Sequence, residues 1–217
     1  MAHQLHRTGR TARLATLSLG MALAASPALA HHPLGGELPS TFAHGLLSGI
    51  GHPIIGLDHL AFVIAVGLAA RLAGRPLLLP LAFVLATMGG TLLHLSAIGL
   101  PLVEVAIAAS VAVLGAMLLA ARSFGAPIYV AVFAVAGLFH GHAYGEAVFG
   151  AEATPVLAYL LGFGAAQYAV ATLAGLVLAG AGIGSEKPMR TRLSGAMIAG
   201  AGVLLVSDHV LAAIGLA

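Results

Sequence analysis

The chain has 217 residues, of which 60% are apolar and only 7% are charged, and its mean hydropathy is +1.05. An ordinary soluble domain carries roughly 25% charged residues, so this composition excludes a soluble globular protein and indicates an integral membrane protein. Cysteine is absent, which excludes disulfides, thiolate metal sites and iron–sulfur clusters. Any metal ligand must therefore supply nitrogen or oxygen, and the chain has 11 histidines.

Residues 1–30 have the three parts of a cleaved secretory signal. MAHQLHRTGRTAR is basic, LATLSLGMALAAS is a short apolar run, and PALA ends in a small-x-small pattern. An uncleaved anchor is the alternative. Cleavage after Ala30 would leave residues 31–217 as the mature domain and change the formal charge from +2 to −1 by removing Arg7, Arg10 and Arg13. The mature chain would then have no basic surface for nucleic acid.

The remaining sequence predicts an all-α bundle of about six transmembrane helices. A hydrocarbon core about 30 Å thick needs about 20 mostly apolar residues per helix. Apolar segments of this kind, separated by Pro or Gly, cover 43–70, 77–97, 101–121, 127–149, 154–182 and 193–216. Glycine and alanine are abundant inside them, which predicts close helix–helix packing.

The distribution of basic residues predicts the orientation of this bundle. A cleaved signal places His31 outside, so the loops after the first, third and fifth segments face the cytoplasm. These loops hold every Lys and Arg of the mature chain, namely Arg71, Arg75, Arg122, Lys187, Arg190 and Arg192. The positive-inside rule therefore agrees with the signal, and both mature termini are expected outside.

Ionisable residues within the predicted helices are the candidates for function, because each costs about 2.5–3.5 kcal/mol at the centre of a bilayer. In this topology they all lie between the outer surface and the middle of the bilayer. The sequence thus predicts an outward-facing polar cup above an apolar inner half. The candidates are His44, His52, Asp58, His59, His94, Glu104, His140, His142, Glu146, Asp208 and His209.

The first helix contains the densest group. His52 and His59 are seven residues apart and are expected to share a helix face, with Asp58 beside it. Pro53 and the glycines around it predict a broken or kinked helix. A satisfied buried hydrogen-bond network is the structural alternative to a functional site here.

The fourth helix contains the second group, in FHGHAYGE. His142 and Glu146 are four residues apart on one face, and His140 is expected to stack with Tyr144. Imidazoles and a carboxylate without sulfur suit Ni²⁺, Co²⁺, Zn²⁺ or Cu²⁺. The neighbouring acid could also orient a ligating imidazole by accepting its other N–H.

The other candidates have a structural reading that competes with the functional one. His44 and His94 fit an interfacial position, and Glu104 fits the first turn of a helix, where it complements the dipole. Asp208 and His209 could pair with each other alone. At the mature terminus, the α-amine with His31, His32 and Glu37 could capture a metal ion, or the terminus could be flexible with incidental histidines.

The two motifs resemble those of a known family. HPIIGLDH, from His52 to His59, resembles the H-x5-D-H signature of the HupE/UreJ family of bacterial nickel permeases, and FHGHAYGE is similar to the second signature of that family. The resemblance covers nearly the whole mature chain. It implies uptake of Ni²⁺, or Co²⁺ in some members, across the inner membrane for hydrogenase or urease maturation. The motif residues carry over to His52, Asp58, His59, His140 and Glu146.

The sequence therefore favours a permease and not an enzyme. We expect a divalent metal ion as the transported substrate and no prosthetic group. Membrane lipid surrounds the protein in this interpretation, and a homo-oligomer is compatible with it. We expect His52, His59 and His140 to be ligands, and Asp58 and Glu146 to ligate or to neutralise charge. Second choices are His142, Asp208 and His209.

Two other classes of protein remain open from the sequence alone. Three histidines and an acid would also suit an intramembrane zinc-dependent hydrolase. A haem protein with two axial histidines would need histidine pairs that face each other from different helices.

Overall fold

The computed structural model describes residues 37–180 and 188–215, and within them the chain is entirely helical and irregular, without strands. Seven helices follow one another: α1 (Phe42–Ile55), α2 (Leu57–Leu72), α3 (Leu79–Leu95), α4 (Val103–Leu119), α5 (Ala126–Glu146), α6 (Ala153–Gly180) and α7 (Pro188–Ala213). The predicted signal segment and its cleavage site lie outside the described residues. The all-α prediction is confirmed.

Helix lengths identify a multi-pass membrane protein. Helices α5, α6 and α7 are long and apolar enough to cross a membrane, and the bent pair α1–α2 would make a fourth span. Helices α3 and α4 are apolar but have 17 residues each, at the short end of the spanning range. The structure thus gives three clear spans and up to four, and the count of six stays a prediction.

The predicted break in the first segment is confirmed, but it lies at Gly56 and not beside His52. Helix α1 ends at Ile55, α2 begins at Leu57, and the two axes differ by 79°. Gly56 has an extended backbone, while Pro53 lies inside α1. His52 and His59 therefore do not share one face of a continuous helix, as the spacing predicted. They lie on two helices that the bend brings together.

Glycines let helices approach backbone to backbone, as the composition predicted, between α2 and α6 at Gly67 and in three further pairs. A Cβ on these glycines would collide with the backbone of the facing residue, so no other residue fits without a shift. The contacts in these three pairs are Gly45–Pro155 and Gly49–Tyr159 between α1 and α6, Gly137–Phe83 and Gly141–Thr87 between α3 and α5, and Gly115–Ala199 and Gly202–Ala112 between α4 and α7. Their order makes the first two pairs parallel and the third antiparallel.

Two apolar clusters fill the interior. The larger includes Phe62 and Phe83 together with aliphatic residues of α2, α4 and α5. The smaller contains Tyr144, Ala147, Val148, Tyr159 and Phe163. Large aliphatic side chains also cover the outside of the bundle, as contact with lipid requires; Leu85, Leu173 and Val177 are each more than half exposed.

Candidate metal-binding site

The centre of the site is a contact between two histidines, which we call the buried pair. His59 lies in the first turn of α2 and His140 near the end of α5, and their Nδ1 atoms are 2.8 Å apart. The exposed fraction is 2% for His59 and 0% for His140. Two predicted site residues on different motifs are therefore in direct contact, deep inside the protein.

The second ring nitrogen of His140 is held by a serine that the sequence reading did not single out. Ser110 Oγ on α4 donates to the Ile107 carbonyl at 2.7 Å and lies 2.9 Å from His140 Nε2. Because a carbonyl can only accept, the serine proton is used there, and we assign a proton to His140 Nε2. The lone pair of neutral His140 then lies on Nδ1 and points at His59.

His52 is oriented in the same way by a tyrosine. Tyr159 Oη donates to the Tyr144 carbonyl at 2.9 Å and lies 2.7 Å from His52 Nδ1. The imidazole N–H is thus assigned to Nδ1, which leaves the lone pair on Nε2. The rings of His52 and His59 are 5.9 Å apart between centroids, so all three predicted histidine ligands lie in one buried region.

Asp58 places a carboxylate beside these histidines. It lies in the first turn of α2, where the helix dipole favours a negative charge. Its Oδ1 accepts a hydrogen bond from the backbone N–H of His59 at 2.8 Å. Its negative charge also interacts electrostatically with the His140 imidazole. The residue is 9% exposed, so its charge is only weakly screened by solvent. Asp58 is therefore placed to favour a cation among the imidazoles.

Tyr144 contacts different partners from those predicted. Its ring packs against His52 at 4.8 Å and His59 at 4.5 Å between centroids, whereas the ring contacts of His140 are with His59, Phe62 and Phe83. The predicted stacking of His140 on Tyr144 is therefore wrong. A residue four positions away along a helix is close to the ring, but the neighbouring helices offer closer partners.

Two buried polar groups near this region, the Tyr144 hydroxyl and the Gln167 amide, interact with each other, although Tyr144 Oη and Gln167 Nε2 form no well-aligned hydrogen bond. Gln167 is fully buried on α6, and its Oε1 accepts from Thr87 Oγ1 at 2.9 Å. Buried polar atoms normally find a partner, and these two groups extend the buried polar network from the histidines to Thr87.

A second pair of histidines, the rim pair, lies at the ends of α3 and α5. His94 Nδ1 and His142 Nδ1 are 3.3 Å apart, and His142 Nε2 is 3.0 Å from the Ile98 carbonyl. His142 is 7% exposed, and His94 is half-buried. Glu146 is exposed, and its negative charge interacts electrostatically with the His94 imidazole. His94, which we expected at an interface, thus pairs with a second-choice ligand.

The remaining candidates belong to neither pair. Asp208 and His209 are near the C-terminal end of α7, the first exposed and the second half-buried. Glu104 occupies the first turn of α4, as the dipole reading predicted, and His44 is exposed on α1. His31 and His32 lie outside the described residues.

Within residues 37–180 and 188–215, no three His, Asp or Glu side chains converge tightly enough to hold a metal ion. The imidazoles meet in twos. Two nitrogens each about 2.0 Å from one ion lie about 2.8 Å apart at a right angle and about 3.3 Å apart at the tetrahedral angle. The separations in the buried and rim pairs match these values. Neither pair leaves room for a haem between its rings.

These features define a multi-pass membrane protein with a buried histidine and carboxylate site. The family model described as HupE / UreJ protein matches residues 19–205. The chain is also 36% identical over 189 residues to Protein HupE of Rhizobium leguminosarum bv. viciae, an alignment that covers 86% of this chain and 94% of that relative. The chain therefore belongs to the HupE/UreJ family. No solved structure matches it. Family membership does not favour the hydrolase alternative.

Proposed function

We propose that this protein is a six-span permease of the bacterial inner membrane that imports Ni²⁺, or Co²⁺, from the periplasm and supplies hydrogenase or urease maturation. The ion binds in the outer half of the bundle to His52, His59 and His140. Asp58 offsets its charge, and Glu146 attracts it at the entrance. The metal is the transported substrate and not a resident cofactor.

The observation that carries this proposal is the direct contact of His59 with His140, with the His52 ring 5.9 Å from that of His59 and the Asp58 carboxylate beside them. Each of His52 and His140 donates one ring N–H to a hydroxyl. The lone pair of each imidazole therefore lies on the other ring nitrogen. Ligating histidines usually have their second nitrogen fixed in this way.

Helix directions support six spans with alternating orientation. If α1–α2 form one span, alternation makes them parallel to α6, α3 parallel to α5, and α4 antiparallel to α7. The glycine contacts have these directions. The histidines also lie at helix ends opposite to the exposed Arg71, Arg122 and Arg190. The positive-inside rule then places the histidine end outside.

An apolar gate below the site follows from the ring contacts of His140. Phe62 lies 4.6 Å and Phe83 5.7 Å from the His140 ring, and the two phenyl rings lie 5.2 Å apart. Both belong to the larger apolar cluster, which contains no Asp, Glu, His, Lys or Arg. An ion that leaves the buried pair towards the cytoplasm must displace these rings. An inside-negative potential assists the step by about 2.3 kcal/mol per charge per 100 mV.

The remaining expectations belong to the same proposal. Residues 1–30 are a cleaved signal, and both mature ends are periplasmic. The exposed terminus with His31 and His32 gathers metal at the outer mouth. Asp208 and His209 serve as a further, weaker attraction for cations at the same end of the bundle.

The test is entry of Ni²⁺ into proteoliposomes that enclose a Ni²⁺-sensitive dye. We expect saturable entry with the natural protein and none with Asp58→Asn or His52→Ala. His44→Ala is the matched control, because His44 is an exposed histidine on the same helix as His52. Helical circular dichroism and the unfolding temperature of each variant establish that the protein is folded.

Entry that survives both motif substitutions would place the pathway elsewhere. Metal that binds without entering would contradict the permease, and turnover of lipid or peptide by the same preparation would instead support the hydrolase. A Co²⁺ series under the same conditions gives the order of preference between the two ions.

A further inference from the structure

We propose that the rim pair, His94 and His142, is a second binding site for a divalent transition-metal ion, separate from the buried site and loaded before it. This inference rests on the proposed transport function only for the order of loading. The site itself lies where the C-terminal ends of α3 and α5 meet. Glu146 supplies the negative charge at its exposed side.

The hydrogen bonds of His142 prepare it as a ligand. The Ile98 carbonyl can only accept, so the proton on His142 lies on Nε2, and Nδ1 carries the lone pair. A backbone carbonyl that accepts the distal N–H is a common partner of metal-binding histidines. Without an ion, His94 donates its Nδ1–H to His142. When the proton of His94 moves to Nε2, both Nδ1 lone pairs face one ion.

The separation of the two nitrogens suits this ion. At 3.3 Å, the contact is long for a hydrogen bond between imidazoles and equals the distance between two ligands of a tetrahedral ion. The buried pair, at 2.8 Å, instead fits two ligands at a right angle. The two pairs therefore differ in geometry, and the nitrogens of the buried pair are also at an ordinary hydrogen-bond distance.

The position of His94 is fixed by its packing. A Cβ on Gly145 would come within 2.6 Å of His94 Cβ and 2.8 Å of Cγ, so the imidazole lies directly against the glycine. On another side the Phe149 ring contacts the His94 ring, with 5.3 Å between centroids. These contacts with Gly145 and Phe149 hold the His94 ring in place, which a histidine that only faced the membrane interface would not require.

Exposure ranks the two pairs, and helix geometry places them on opposite faces of α5. Exposure decreases from Glu146 through His94 and His142 to His140, which is fully buried. His140 and His142 are two residues apart on α5, so they differ by about 3 Å along the axis and about 200° around it. One contacts α2 and the other α3. The rim pair is therefore the more accessible of the two, which is the basis for the order of loading that we propose.

The test is the stoichiometry of Ni²⁺ bound to the purified full-length protein in detergent, measured by calorimetry for matched variants. We expect His94→Ala and His142→Ala each to lose one bound ion per chain while the ion bound through His140 remains. His140→Ala should lose the other ion. His44→Ala, an exposed histidine outside both pairs, should lose neither.

Gly145→Ala separates ligation from general damage, because it displaces His94 and leaves every imidazole in the chain. We expect it to lose the same ion as His94→Ala. If His94→Ala and Gly145→Ala both keep the full stoichiometry, the rim site does not exist. Loss of both ions together would mean a single shared site and would also overturn the proposal.

Failure of this inference is distinct from failure of the permease. Rim binding without any Ni²⁺ entry into proteoliposomes would overturn transport and the loading order but keep the site. Entry that is abolished by Asp58→Asn but unaffected by His94→Ala at limiting Ni²⁺ would keep the permease and overturn the loading order.

Discussion

His59 and His140 meet Nδ1 to Nδ1 at 2.8 Å, although 81 positions separate them in the chain. One ring must donate and the other must accept, so the two residues act as one unit. We expect His59→Ala and His140→Ala to lower the Ni²⁺ affinity of the buried site by similar factors. The double variant should lose little more, because neighbours that share one interaction are not additive. Calorimetric titration of the four proteins is the measurement. If the losses of Ni²⁺ affinity in the two single variants add up fully in the double variant, His59 and His140 do not act as one unit.

Ser110 is expected to act on metal binding only through His140. Ser110→Ala removes the partner of His140 Nε2 and should lower Ni²⁺ affinity about 10–100-fold, the usual effect of losing such a partner. Ser207→Ala is the matched control, because that serine also bonds a carbonyl of its own helix but is exposed on α7. An unchanged affinity in Ser110→Ala would show that His140 does not depend on this contact.

Two tyrosines of the smaller apolar cluster should respond differently to loss of the hydroxyl. Tyr159→Phe removes the acceptor for His52 Nδ1 and the donor to the Tyr144 carbonyl, and losing bonds of this kind costs about 1–3 kcal/mol. We expect lower stability and weaker Ni²⁺ binding. Tyr144→Phe removes a hydroxyl that interacts with Gln167 without a well-aligned hydrogen bond, so stability should fall less than in Tyr159→Phe.

Thermal unfolding and Ni²⁺ entry, measured on both tyrosine variants, check this contrast. Reduced entry in a Tyr144→Phe protein of unchanged stability would assign the hydroxyl a direct role towards the ion. Equal destabilisation of the two variants would contradict the hydrogen-bond assignment.

The close contact of α3 and α5 should depend on Gly141. A Cβ there would collide with the Thr87 backbone, which cannot move as a side chain can. Gly141→Ala should therefore destabilise the fold by about 1–3 kcal/mol and weaken the buried pair by shifting α5. Gly200→Ala on α7 is the control, because nothing lies within 4 Å of its added methyl group. It should leave stability equal or raise it by up to about 1 kcal/mol. The unfolding temperature in detergent distinguishes the two.

The sequence was sufficient for the features that depend on composition and local pattern. Hydropathy predicted the all-α class, and the glycine content predicted close packing of the helices. Pro53 and the glycines around it predicted the break in the first segment. The exact place of the break was not predictable, because a proline inside the last turns of α1 is tolerated while Gly56 takes the extended backbone. The ends of α3 and α4 were also missed, because Ala97 and Leu102 adopt left-handed backbone conformations that hydropathy does not register.

The partners of the site residues required the three-dimensional structure. The motifs identified His52, His59 and His140, but the contacts of His59 with His140 and of His94 with His142 join different helices. Helical spacing reports on one helix at a time. It predicted that His52 and His59 are close because they share a helix face, whereas the bend at Gly56 brings them together. It did not select Ser110 or Tyr159. A lone serine in the apolar run of α4 was the signal that could have found Ser110.

Three of the glycine-packed helix pairs have a mechanical consequence. Close backbone contact makes each pair move as one body, and each contributes to the buried site: His52 from α1–α6, His140 from α3–α5 and Ser110 from α4–α7. Sliding of one body past another by even an ångström would separate these groups. An ion bound among them, as we propose, would hold the three bodies together, and its departure would release them.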